Sequence, residues 1–212
     1  MARNLSRRTL LQIIIHRINT LDELGKVPSK LGVEVDVRGH GDKLLLSHDP
    51  IISGKSYCEL EEYLSCYQHE FIIFNMKEAG YETRVLELAR KYKITNYFLL
   101  DVEFPYLYNA TRNLNIRNIA VRYSEAEPIE SVTLQRDENG KPLCDWVWID
   151  TNTKLPLDPS VISKLKGFKT CLVCPERWGR ARDILKYKKM MKSLDFLPSA
   201  VMTSLERSSE WQ

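Results

Sequence analysis

The sequence predicts an α/β fold: a compact (β/α)8 barrel of the TIM type, with some helices short or missing, forming one domain over residues 1–212. Three observations predict it. Eight short aliphatic or aromatic runs recur along the chain, they are apolar on both faces, and amphipathic segments separate several of them. Strands buried on both faces and alternating with helices build a parallel sheet covered by helices. Eight of them close a barrel. An open, doubly wound sheet is the competing arrangement, but no glycine-rich phosphate loop follows the first run.

The first run, QIIIHR, drives three β-branched residues into His16 and Arg17, and the segment from Ile18 to Leu31 barely holds a helix. The second, GVEVDVR, is followed by an extra extended piece in LLLSHDP. FIIFNMK and NYFLLDV come next, separated by YETRVLELARKY, whose apolar residues repeat at helical spacing. NIAVRYS and DWVWIDT precede DPSVISKLKG, which carries an acidic cap, a proline and a closing glycine. After KTCLVCPE, the segment GRARDILKYKKMMKSLD reads as an outer helix, with Ile184, Leu185 and two methionines on the buried face and lysines in solvent. SAVMTSL is the last strand. A chain of 212 residues is near the small end for this fold.

Composition narrows the function classes. A net charge of +3 and 43% hydrophobic content describe an ordinary globular chain, without the basic stripe that nucleic-acid binding requires. Five cysteines, an odd number lying mostly in apolar runs, predict free thiols in a reducing compartment. The Cys171–Cys174 pair falls inside a strand, and no second pair or histidine couple follows at zinc spacing. No apolar run reaches the roughly 20 residues needed to span a bilayer. Arg7 and Arg8 before an apolar patch suggest a twin-arginine export signal, but the patch is short and broken by Gln12, so the expected location is the cytoplasm.

Active sites of this fold gather at the C-terminal ends of the strands, where His16 and Arg17 stand. Glu34 and Asp36, two residues apart, leave the same face of the second strand. Facing inward, two carboxylates repel and lose hydration unless a cation or proton compensates them; on an edge strand they would face water instead. His48 and Asp49 follow in a turn before proline, a common structural arrangement. Two histidines flanking a diacid at one barrel mouth would supply a general base, a general acid and a metal site.

The order HR, then Glu-x-Asp, then HD resembles the glycerophosphodiester phosphodiesterase family and its phospholipase C and sphingomyelinase D relatives. The resemblance covers roughly the first quarter of the chain by motif and the remainder by pattern. It implies a phosphodiesterase acting on a small phosphodiester, with His16 and His48 as the acid–base couple. Glu34 and Asp36 would be ligands of one divalent cation, Mg2+ or Ca2+, and Arg17 a phosphate contact.

The third strand departs from the family pattern. It reads FNMKE, so Asn75 stands where the third metal carboxylate belongs and Lys77 keeps the lysine position. An asparagine carbonyl can coordinate such a cation with one charge fewer. Asp101 either completes the ligand set or caps the segment EFPYLYNATR. Arg122 is expected to hold a second anionic group and Asp150 to accept from substrate hydroxyls; packing or capping are the alternatives. The last strand ends VMTSLE where the resemblance implies Thr-Asp. Trp146 and Trp148 are expected in the core. The loss at Asn75 also allows a second reading, a non-catalytic phosphate or sugar-phosphate binding barrel.

Overall fold

A computed structural model describes residues 11–212; the paired arginines Arg7 and Arg8 lie outside them. Eight parallel strands form the wall: β1 (Gln12–Ile15), β2 (Gly32–His40), β4 (Ile72–Met76), β5 (Tyr97–Leu100), β6 (Ala120–Tyr123), β7 (Trp146–Ile149), β8 (Lys169–Val173) and β9 (Ala200–Thr203). They run in the order β5-β4-β2-β1-β9-β8-β7-β6. A single parallel bridge, Leu99 to Ile119, joins β5 to β6 and closes the ring. The extra piece after the second strand is β3 (Lys43–Leu46), which turns back antiparallel on β2.

Strand alternation sorts the side chains. Val33, Val35 and Val37 pack outward with the helices, while Ile14, Ile73, Phe98, Trp146, Trp148 and Met202 fill the barrel interior. Trp146 sits 4.9 Å from the Phe98 ring and 5.2 Å from that of Phe71. The tryptophans are core residues, as expected. Cys171 belongs to the interior and Cys174 to the outer layer. Three residues apart on an extended strand, they face opposite ways and cannot pair. All five cysteines are free.

The helices are short, as the chain length requires. After β1 comes α1 (Leu21–Lys26), a single turn and a half started by a Thr20–Glu23 capping box. Also present are α2 (Leu60–Ser65), α3 (Glu82–Lys91), α4 (Phe104–Arg112), α5 (Glu130–Thr133), α6 (Pro159–Leu165) and α7 (Ile184–Ser193). Asp158 caps α6 by accepting from the Ser160 and Val161 amides at 2.7 and 2.9 Å. In α7 the buried face is Ile184, Tyr187 and Met191, whereas Leu185 is exposed. The expectation for Leu185 is corrected because it lies one residue, about a hundred degrees of helix, from the Ile184–Tyr187–Met191 row. No helix among the described residues is long and apolar enough to cross a membrane.

Gly32 shows how tightly β2 is seated. A Cβ built there would lie 2.9 Å from the Phe71 carbonyl oxygen, a backbone atom that cannot yield easily. We expect Gly32→Ala to lower unfolding free energy by about 1–3 kcal/mol, measured by denaturant titration against wild type.

Candidate active site

The β1–β2–β4 side of the barrel mouth is built on two sealed carboxylates. Glu34 and Asp36 are buried, and both point inward, which removes the solvent-facing alternative. Asp36 and Asn75 are register partners across β2 and β4. The Asn75 amide nitrogen donates to Glu34 Oε1 at 2.9 Å and to Asp36 Oδ1 at 3.2 Å. Lys77 Nζ lies 3.0 Å from Asp36 Oδ1 and is mostly buried, so it belongs to the site rather than the surface. Asn19 completes the cage: its side chain donates to Asp36 Oδ2 at 2.9 Å and accepts from the Asp36 amide at 2.8 Å. Burial and the neighbouring Asp36 charge raise the Glu34 carboxyl above its ordinary range.

Backbone turns deliver the remaining groups. Arg17 adopts a left-handed conformation (φ 55°), and its amide donates to Glu34 Oε2 at 2.8 Å. That anchors the turn which carries His16 and Arg17 over the mouth. His16 Nε2 stands 3.7 Å from Glu34 Oε2. Burial, then the charges of Arg177 and Arg17, lower its pKa to about 2, so the imidazole is neutral. His48 reaches the same cavity because the Ser47 amide donates to the Asp36 carbonyl and Arg38 donates to the His48 carbonyl at 2.8 Å. His48 Nδ1 is 2.9 Å from Asp49 Oδ1, whose carboxyl this contact holds below the usual range. Glu78 turns away and pairs with Arg38.

The other half of the mouth is a closed network. Arg122 on β6 donates to both oxygens of Asp101, at 2.5 and 2.9 Å, and to Asp150 Oδ2. The Trp148 indole also donates to Asp150 Oδ2, at 3.0 Å. Burial raises the Asp150 carboxyl, and Arg122 partly offsets that shift. These partners alter two expectations. Asp101 neither caps α4, whose N-cap residue is Glu103, nor joins Glu34 and Asp36, because both its oxygens face Arg122. Arg122 in turn has its donors on the two aspartates rather than free for a second anion.

One cavity of about 430 Å3 is lined by His16, Arg17, Glu34, His48, Asn75, Lys77, Asp101, Arg122 and Asp150, while Asp36 lies beneath its wall. Arg177, Trp178, Asn152 and Glu127 also line it, and sequence reasoning missed them. Arg177 and Trp178 sit on a 3-10 turn, Pro175–Trp178, directly after β8. Glu176 pins that turn by accepting from Thr203 Oγ1 at 2.5 Å and the Ser204 amide at 3.0 Å. Position after a strand was the available signal for Arg177. Among the described residues, neither the Arg17 nor the Arg177 guanidinium has a side-chain or backbone partner; Arg17 Nε is buried without one.

The fit to a divalent cation can be tested on these contacts. A hard cation of this kind needs several converging oxygens. Glu34 Oε1 and Asp36 Oδ1 do converge, but on an amide nitrogen, with the Lys77 ammonium against one of the same oxygens. In this orientation the amide nitrogen is satisfied by both carboxylates, while Asn75 Oδ1 is buried without a partner. Among the described residues no three His, Cys, Asp or Glu side chains form a group able to hold a metal ion. The expected set of Glu34, Asp36, Asn75 and Asp101 therefore does not fit Mg2+ or Ca2+ as it stands.

Two outcomes follow from these contacts. Arg122→Met should cost about 2 kcal/mol, because it leaves Asp101 and Asp150 facing each other uncompensated while part of the network meets solvent; denaturant unfolding measures it. For His16, the unfolded chain takes up a proton near the ordinary 6.5 while the native imidazole resists until about 2. Falling pH therefore favours the unfolded state. Between about pH 7 and about pH 5, the drop in melting temperature should be smaller in His16→Gln than in wild type.

No protein-family model matches the chain, and no curated protein matches it. Solved structures do. A glycerophosphodiester phosphodiesterase from Agrobacterium tumefaciens C58 superposes with a TM-score of 0.65 at 11% identity, over 95% of this chain and 99% of that one. A glycerophosphoryl diester phosphodiesterase from Parabacteroides distasonis gives 0.61 at 12% identity, over 95% and 85%. At such identity the likeness is one of fold: over 95% of its length the chain shares the barrel of these phosphodiesterases.

Proposed function

We propose that this chain cleaves a small phosphodiester by acid–base catalysis with His16 and His48. The observation that supports it best is the meeting of both histidines in one cavity with two unengaged guanidinium groups, Arg17 and Arg177. Acid–base pairs and anion-binding arginines are the parts that phosphate-ester cleavage requires. The barrel shared with glycerophosphodiester phosphodiesterases supports the same reading.

In this reading the phosphate rests against Arg17 and Arg177, near Lys77. His16, neutral and half-buried, takes the proton of the attacking hydroxyl, either water or a neighbouring hydroxyl of the substrate. The two arginines are among the causes that depress His16. A phosphate anion between them offsets that influence and raises the basicity of the imidazole when substrate arrives. His48, held against Asp49 through Nδ1, donates a proton to the departing alkoxide. Water gives direct hydrolysis and a substrate hydroxyl gives a cyclic phosphate. Asp150, with Oδ1 outside the Arg122 contact, remains an acceptor for substrate hydroxyls. The free thiols fit a reducing, cytoplasmic setting.

His16→Ala and His48→Ala should each lower turnover of a phosphodiester panel by at least about a hundredfold with the fold intact by circular dichroism. Near-native turnover in either variant would remove that histidine from the mechanism. Binding of phosphate compounds by wild type without any turnover would favour the binding-barrel reading, for which the neutral Asn75 is the supporting feature.

A further inference from the structure

We propose that this site stabilises the phosphoryl group with the organic cations Lys77, Arg17 and Arg177 and works without a divalent metal. For the reaction the inference rests on the phosphodiesterase reading; for anion binding it stands by itself.

The place a metal would take is already filled. Between Glu34 Oε1 and Asp36 Oδ1 lies the Asn75 amide nitrogen, bonded to both. Lys77 Nζ shares Asp36 Oδ1 at 3.0 Å. A dication entering here would displace those amide hydrogens and meet a fixed ammonium at contact range, with only two carboxylates to hold it. No third one comes to its aid, because Asp101 has both oxygens on Arg122. Amide and ammonium already perform the compensation that two buried carboxylates require.

The charge work of the metal has other carriers. Arg17 and Arg177 approach the cavity from the two strands that flank β9, one after β1 and the other after β8. Both are pre-positioned from behind. The Arg17 turn is tied to Glu34 through its amide, and the Arg177 turn to Thr203 and Ser204 through Glu176. Neither guanidinium has a protein partner among the described residues; Arg177 is exposed at the cavity's edge, whereas Arg17 Nε is buried, where a donor is ordinarily satisfied. A guanidinium fork matches two phosphate oxygens at once, and two forks with an ammonium can meet the charge that develops at the phosphoryl oxygens.

The test uses full-length protein stripped with EDTA. Calorimetry with inorganic phosphate should show saturable binding in the chelator, weakened at least about tenfold in Arg177→Ala. Mg2+ or Ca2+ titrated into wild type should give no saturable heat, whereas Asn75→Glu should gain a single cation site. Phosphate binding that appears only with added metal, no phosphate binding under any condition, or a wild-type cation site that Glu34→Gln abolishes would each overturn the inference. Turnover separates it from the reading beneath it. Phosphodiester cleavage that persists in EDTA supports both. Cleavage that stops in EDTA and returns with Mg2+ overturns the metal-free site and leaves the phosphodiesterase reading intact. Metal-free phosphate binding without cleavage of any diester does the reverse.

Discussion

Two carboxylates sealed inside a barrel wall govern the rest of the mouth. Strand alternation puts Glu34 and Asp36 inward because Val33, Val35 and Val37 must face the helices. Once they are there, desolvation and mutual repulsion demand donors on every side. The Asn75 amide, the Lys77 ammonium, the Asn19 side chain and the Arg17 amide supply them. The donors come from two stretches, the end of β4 and the segment that follows β1. Charge compensation and the course of the backbone are therefore one requirement here. The left-handed turn at Arg17 exists where its N–H must reach Glu34, and that turn sets where His16 stands.

The loops after β8 and β9 answer a similar demand from the other side. Glu176 accepts from both Thr203 and Ser204, so the ends of two neighbouring strands are locked together just where Arg177 and Trp178 project. The cavity that results is polarised. Arg17, Lys77 and Arg177 cluster around the inward acids, while Asp101, Asp150 and Glu127 surround the single cation Arg122. A small molecule with an anionic part and a hydroxylated part would find complementary surroundings in a fixed direction.

Much of this was legible in the sequence, for physical reasons that can be traced. The eight apolar runs announced the parallel wall because strands buried on both faces have no room for polar alternation, and each run contains one of the eight wall strands. His16, Arg17, Glu34, Asp36, His48 and Lys77 were readable because short spacings and strand ends fix their direction locally. Asp101 was not. Its role depends on Arg122, 21 residues away on the neighbouring strand, and spacing says nothing about which partner a carboxylate selects. Asn19 and Arg177 escaped notice for the same reason: an asparagine in a loop and an arginine in a 3-10 turn carry no periodic signal. Leu185 was misread because a helical stripe drawn too wide includes residues that turn to solvent.

Arg122 also closes the barrel. Along most of the ring, neighbouring strands share a run of paired residues, but β5 and β6 meet through one bridge, with the Leu99 amide donating to the Asn118 carbonyl at 2.9 Å. Above that point the link between the two strands is the Arg122–Asp101 pair. Mechanically the molecule is a slit cylinder stapled at its rim, and the staple is part of the cavity wall. Any ligand group that draws Asp101 or Arg122 toward itself loosens the slit. The seam between β5 and β6 and the wall of the cavity thus share a single guanidinium.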